Sequence, residues 1–495
     1  MSMNVKDKTY RELGKLIVIS GTMVGILLLN SSLIWAATKS TENVASEEDV
    51  LSAMTLEEKV AQMFFVTPEA LTGAAFVTEA GEITEERFSE YPVGGIIYFT
   101  ENIVSREQVS TMLNRMQEIS KDRIGLPIFL GIDEEGGRVS RLYESSINGI
   151  PYVQDMYTIG TSGDSGQAYQ TGKIIGRYMK ELNFNVDFAP VADIFSNPAN
   201  TVIGNRAFGN DPEAVSEMVA MMVQGLQKEG IFATLKHFPG HGDTDVDSHK
   251  ALPVLPFTRE RLDSVELYPF KEAIRAGLGG MMVGHLQVPV IEPIGGLPSS
   301  LSRNVVYDLL TDELAFKGLI FTDALAMKGV AGNGNVSLQA LKAGNDMVLS
   351  PRNLKEEIPA VLEAVEKGEL SREEIESKCR KVLTYKYVLG LKKKSYVQLS
   401  GLEQRINSPQ TRDLVRRLNL AAITVLNNKN HILPLHTDKE QKIALLEVGN
   451  PGKTDVLAKQ LSRYTSLVRF CLRANQTEEE NQRLRDSLST YKRII

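Results

Sequence analysis

From about residue 50 to 395 the chain repeats one pattern: a short unbroken apolar run, a loop, then a segment with apolar residues at helical spacing. The runs are Gln62–Val66, Gly94–Phe99, Ile128–Asp133, Val186–Asp193, Thr234–Phe238, Gly280–Leu286, Leu319–Asp323 and Asp346–Ser350. They lack alternation and are rich in branched residues, as strands buried on both faces are. The intervening segments carry helix signals. Ser105 and Gln108 form a capping box ahead of Val109, Met112, Leu113 and Met116. Asp211 precedes Pro212, an N-cap with proline at the first helical position, and Ser371 with Glu374 repeats the box before Ile375, Cys379, Val382 and Leu383. Cys379 thus falls on an apolar stripe and reads as a buried structural thiol. Eight strands alternating with helices predict an α/β fold of the (β/α)8 barrel type over 50–395. A doubly wound sheet would need a glycine-rich phosphate turn after its first strand, but Thr67-Pro68-Glu69 stands there.

A second α/β unit is expected over 405–495. A helix through Leu414, Leu418, Ala421 and Ala422 leads to a strand at Ile423–Leu426. Ile443–Val448 is another strand, followed by a helix near 452–464, a strand at Leu467–Leu472 and a charged helix over Thr477–Tyr491. One more strand is expected to start at Arg493-Ile494-Ile495, so this unit reads as a partial, truncated sandwich, small for a domain. At the other end Lys6, Lys8, Arg11 and Lys15 precede an apolar stretch from Leu16 to Ala37, and a polar linker follows over 38–49. Residues 1–37 have the layout of a secretory signal and are also just long enough to serve as a membrane anchor. Both readings place the working part outside the cytoplasm, in the cell envelope.

Composition narrows the function classes. The 495 residues hold 55 Lys+Arg against 62 Asp+Glu, a net charge of −7, which argues against nucleic acid as a partner. Two cysteines, Cys379 and Cys471, exclude a disulfide scaffold.

The candidate chemistry lies at the strand ends. Asp133, Asp193, Lys236-His237, His285 and Asp323 each close an apolar run, and in a barrel all would lie on the C-terminal rim, where active sites of this architecture are built. The densest stretch, Lys236–His249, holds His237, His241 and His249 with Asp243, Asp245 and Asp247. The histidines show no established metal-ligand spacing, so no metal is expected. Proton transfer is the better reading: Asp247 and His249, two apart on a loop, suit a carboxylate that orients an imidazole, with Asp323 as a partner.

Lys236-His237-Phe238-Pro239-Gly240-His241-Gly242, followed by Asp247-Ser248-His249, resembles the signature of bacterial β-N-acetylglucosaminidases (β-N-acetylhexosaminidases) of glycoside hydrolase family 3. Phe321-Thr322-Asp323-Ala324-Leu325-Ala326-Met327 is similar to that family's nucleophile segment. Gly131–Arg141 resembles its sugar-binding loop, and Ile203–Gly209 a further binding loop. The resemblance implies a retaining hydrolase in which Asp323 is the nucleophile and His249, oriented by Asp247, is the acid/base. By the same matching Asp133, Arg141, Arg206, Lys236 and His237 would hold the terminal sugar, with Arg138 and His285 as further candidates. It implies a carbohydrate substrate, no cofactor, a monomer, and an αβα sandwich as the second unit, here about half its full length. Peptidoglycan fragments and chitin-type oligosaccharides both fit. A family-3 β-glucosidase or xylosidase and an inactive envelope sugar-binding protein are the alternatives.

Overall fold

The computed structural model describes residues 47–145, 147, 149–244, 252–330, 334–391, 396–423, 442–449, 452 and 454–495. The expected signal or anchor lies outside the described residues, as do Asp247, His249 and most of the expected strand Ile423–Leu426. No helix among the described residues is long and apolar enough to cross a membrane.

All eight expected strands form. They are β1 (Phe64–Val66), β2 (Gly95–Tyr98), β3 (Phe129–Ile132), β4 (Val186–Asp187), β5 (Phe232–Phe238), β6 (Gly280–Val283), β7 (Leu319–Thr322) and β8 (Val348–Leu349). They pair in parallel in the order β8-β1-β2-β3-β4-β5-β6-β7, and a Phe321–Met347 bridge closes the ring. Closure is backed by Thr322 N donating to the Met347 carbonyl at 3.1 Å. The fold is a (β/α)8 barrel. Its helices begin where the sequence says: Ser105, Asp211 and Ser371 each accept a hydrogen bond from the first turn they cap. Each such cap is worth about 1 kcal/mol.

The barrel interior is filled rather than hollow. Phe65, Phe129, Phe188, Phe232 and Phe321 pack with ring centroids 5.2 to 6.4 Å apart. This crowding explains Gly131 on β3, where a Cβ would lie 2.7 Å from the Phe65 ring and 2.9 Å from that of Phe188. Behind the rings the helix Arg372–Val388 closes the N-terminal end. Its Tyr385 meets Phe232 at 5.0 Å, and Lys386 donates to Gln62 Oε1 at 2.7 Å with its ammonium 5.3 Å from the Phe129 centroid. Burial pushes the Lys386 amine down to about 7. Cys379 of the same helix is fully buried, and burial raises its thiol to about 12.

The boundary of the second unit differs from expectation. Helices Leu402–Ile406 and Pro409–Ala421 group with the barrel, which runs to Ala422. Leu402, Ile406 and Leu418 enter the barrel's core, and Arg405 pairs with Glu181. The helical stripe that marked Leu414 and Leu418 identifies a buried face but not the surface that buries it. The second unit, from 423, contains β9 (Lys442–Val448) and β10 (Ser466–Leu472), paired in parallel through a crossover helix, Asp455–Leu461. Ala444 of β9 also pairs with Ile494, where a strand was expected. The charged helix is Glu478–Ser489.

Candidate active site

Directly after β3 the chain stays extended through Asp133, Glu134 and Glu135, so successive side chains point to opposite sides. Asp133 and Glu135 turn to the barrel mouth and share one ammonium. Lys236, near the end of β5, lies 2.7 Å from Asp133 Oδ1 and 2.7 Å from Glu135 Oε1. Arg206 closes the other side of Glu135 with two bonds of 2.8 Å, Nε to Oε2 and Nη2 to Oε1. Two buried carboxylate oxygens thus meet two cations in planar, charge-assisted geometry. Burial alone would raise the Glu135 carboxyl, but Arg206 and Lys236 hold it well below its ordinary range. Burial would lower Lys236, and Asp133 with Glu135 raises it instead. Arg141 stands further off, its Nη2 3.8 Å from Asp133 Oδ2 and its guanidinium 5.8 Å from the Phe99 centroid.

His237 is fixed from behind. Its Nδ1 donates to Asp193 Oδ2 at 2.7 Å, and its Nε2 lies 3.5 Å from Arg206 Nη2. The other oxygen of Asp193 accepts the backbone N–H groups of His237 at 3.3 Å and His241 at 2.6 Å. Burial pushes against ionisation of Asp193, but His237, His241 and these N–H bonds keep its carboxyl below the ordinary range. His241 is buried beside His237, which lowers its imidazole to about 4, and its Nδ1 is paired with Thr244 Oγ1 at 2.6 Å.

Asp323 follows β7 on the same rim. Its backbone N–H donates to the Val283 carbonyl at 2.9 Å, and its Oδ1 accepts the Ala324 N–H at 2.7 Å. Burial would raise its carboxyl, yet His285, His237, the Ala324 N–H and Lys236 hold it below the usual value. Only β6 separates the strand that carries it from β5, which bears Lys236 and His237. The structure therefore gathers Asp133, Arg141, Arg206, Lys236, His237 and Asp323 at one mouth; Asp247 and His249 lie outside the described residues.

The two further candidates take other positions. His285 is fully buried, with Nε2 donating to the Ala324 carbonyl at 3.0 Å and Nδ1 2.7 Å from Ser300 Oγ, so it pins the peptide next to Asp323. Arg138 Nη2 donates to the carbonyls of Thr201, Val202 and Ile203, fixing the loop that leads to Arg206. Glu135 and Asn200 were not singled out in the sequence. Asn200 is buried and spends its amide on the His241 and Gly242 carbonyls at 2.8 and 3.1 Å and its oxygen on the Val202 and Ile203 N–H groups. It ties the loop after β4 to the root of the loop after β5. Gly242 makes that approach possible, since a Cβ there would stand 1.8 Å from the Ile194 carbonyl oxygen. Among the described residues no cluster of three or more His, Cys, Asp or Glu forms a metal site.

Known proteins resemble this chain over the same region. It is 32% identical over 398 residues to beta-hexosaminidase A of Pseudoalteromonas piscicida, covering 75% of this chain and 65% of that protein. It is 35% identical over 311 residues to beta-hexosaminidase LpqI of Mycobacterium tuberculosis, covering 60% of this chain and 76% of that one. A solved glycoside hydrolase family 3 beta-N-acetylglucosaminidase from Paenibacillus sp. str. FPU-7 superposes with a TM-score of 0.74 at 33% identity, covering 89% of this chain and 84% of the other. The glycosyl hydrolase family 3 N-terminal domain matches residues 55–385, a span that takes in all eight barrel strands. With the barrel closed and the rim assembled in that same span, the chain belongs to glycoside hydrolase family 3.

Proposed function

We propose that the protein is a retaining, exo-acting β-N-acetylglucosaminidase that removes terminal β-linked N-acetylglucosamine from peptidoglycan fragments or chitin-type oligosaccharides, working outside the cytoplasm as a monomer. The observation that carries this reading is the carboxylate of Asp323, at the end of β7 on the same rim as the paired charges of Asp133, Lys236, Glu135 and Arg206. A nucleophile must be ionised to attack, and His285, His237 and Lys236 favour that form. The names of the relatives support the choice of sugar.

In the first step an Asp323 carboxylate oxygen attacks the anomeric carbon while the bond to the leaving oxygen breaks. His249, oriented by Asp247, gives that oxygen a proton. In the second step His249 takes a proton from water, whose oxygen displaces Asp323 and restores the free carboxylate. Asp133 accepts from neighbouring sugar hydroxyls, since a carboxylate offers several acceptor sites. Arg206, Lys236, His237 and Arg141 complete the hold.

Turnover of an aryl N-acetyl-β-glucosaminide beside the matching aryl β-glucoside tests the reading. The acetamido substrate is expected to be strongly preferred. Asp323→Ala should abolish turnover, while His249→Ala should lose far less on an activated aryl group than on a sugar aglycone. An Asp323→Ala enzyme with most of the wild-type rate would overturn the assignment.

A further inference from the structure

Glu134 lies between the two carboxylates of the clamp yet faces the other way, into the protein. It is completely buried. One oxygen accepts the hydroxyls of Ser140 and of Tyr178, the latter at 2.7 Å, and the other accepts the Leu142 N–H at 3.0 Å. Tyr178 belongs to the outer helix Ser165–Leu182, Ser140 ends the far arm of the hairpin that starts at Glu134, and Leu142 lies in the short helix Arg141–Glu144 that follows that arm. The Glu134 N–H donates to Asp187 Oδ1 at 3.1 Å, so its backbone is also tied to the end of β4. A single side chain therefore joins the start of the hairpin, its return and the helix behind it. Asp133 precedes this point, Glu135 follows it, and Arg141 leaves the returning arm.

We propose that Glu134 is a positioning residue: it sets the hairpin so that Asp133, Glu135 and Arg141 meet Lys236 and the bound sugar in register. It touches no substrate. Its effect is on the binding geometry, and a displaced clamp weakens the grip on the terminal sugar before it slows the attack by Asp323. This rests on the reading of Asp133 and Arg141 as sugar-binding groups.

The test compares Glu134→Ala, Glu134→Gln and Tyr178→Phe on the aryl glycoside that the wild type hydrolyses best, with inhibition by the free sugar as a direct measure of binding. Glu134→Ala should raise KM and the sugar's inhibition constant about tenfold with kcat within about threefold. Glu134→Gln keeps a carbonyl for the Leu142 N–H and an amide for the two hydroxyls, and should restore both constants to within about threefold of wild type. Tyr178→Phe removes one of the three bonds and should give a smaller rise in KM at unchanged kcat. If Glu134→Ala does not fold, the other two variants still decide. Unchanged KM in Tyr178→Phe, a Gln variant as weak as Ala, or a fall in kcat at constant KM would overturn the proposal. A wild type that hydrolyses only the glucoside would instead overturn the N-acetylglucosamine reading, and the same comparison would then be made on the glucoside.

Discussion

Two pairs of carboxyl groups meet where β3 and β4 end and live in opposite electrostatic worlds. Asp133 and Glu135 face the mouth and share Lys236, with Arg206 on the outer oxygens of Glu135. Glu134 and Asp187 face the core, where hydroxyls and N–H groups are their hydrogen-bond partners. Burial holds Glu134 up at about 7 and Asp187 well above its ordinary value, while Glu135, equally buried, is driven the other way by its two cations. Depth alone therefore does not decide the charge of an acid; the presence of a paired cation does. One residue of strand alternation separates the two outcomes.

The contrast can be broken from the mouth side first. On the proposed role of Asp133, Asp133→Ala would remove charge-assisted bonds to the sugar worth about 3–4 kcal/mol, and kcat/KM on an aryl N-acetyl-β-glucosaminide should fall roughly 10²–10³-fold. Glu135→Gln leaves Arg206 and Lys236 short of a counter-charge in a buried place; the denaturation midpoint should report a loss of about 3 kcal/mol. The pH dependence of stability then separates the neighbours by sign. A raised acid such as Glu134 favours folding below its ordinary value of 4.5 and loses that contribution as pH climbs through about 7. Measured at pH 5 and pH 8, wild type should lose up to about 3 kcal/mol relative to Glu134→Gln. Glu135 runs opposite: its lowered carboxyl contributes fully above the ordinary value of 4.5 and loses that contribution as pH falls from there down through its lowered value. The smallest effect is expected at Asp187→Asn, which keeps an oxygen for the Glu134 N–H; melting and kinetics should stay within error of wild type, and a large loss would mean that Asp187 works ionised.

Much of this was legible in the chain. The eight strands were, because a strand covered on both faces must be apolar throughout, and their polar last residues gave the rim. Glu135 was not, although it is the hub of the clamp: its partners Lys236 and Arg206 come from β5 and from the long loop after β4, and nothing local distinguishes it from Glu134 beside it. Arg138 stands in the same family-like loop as Asp133, and no local pattern announced that its Nη2 is engaged by three carbonyls of a loop more than sixty residues on. Helix Pro409–Ala421 carried a clear apolar face and still went to the wrong neighbour, since periodicity says that a face is covered without saying by what.

The phenylalanine packing and the Lys386–Gln62 plug have a consequence for traffic. They stop the barrel like a well with a stone floor, so a sugar lowered in past Asp133 must be drawn up again by the same opening. Released monosaccharide and incoming chain end then wait at a single gate, and the free sugar should inhibit by direct competition, with its effect vanishing at saturating substrate.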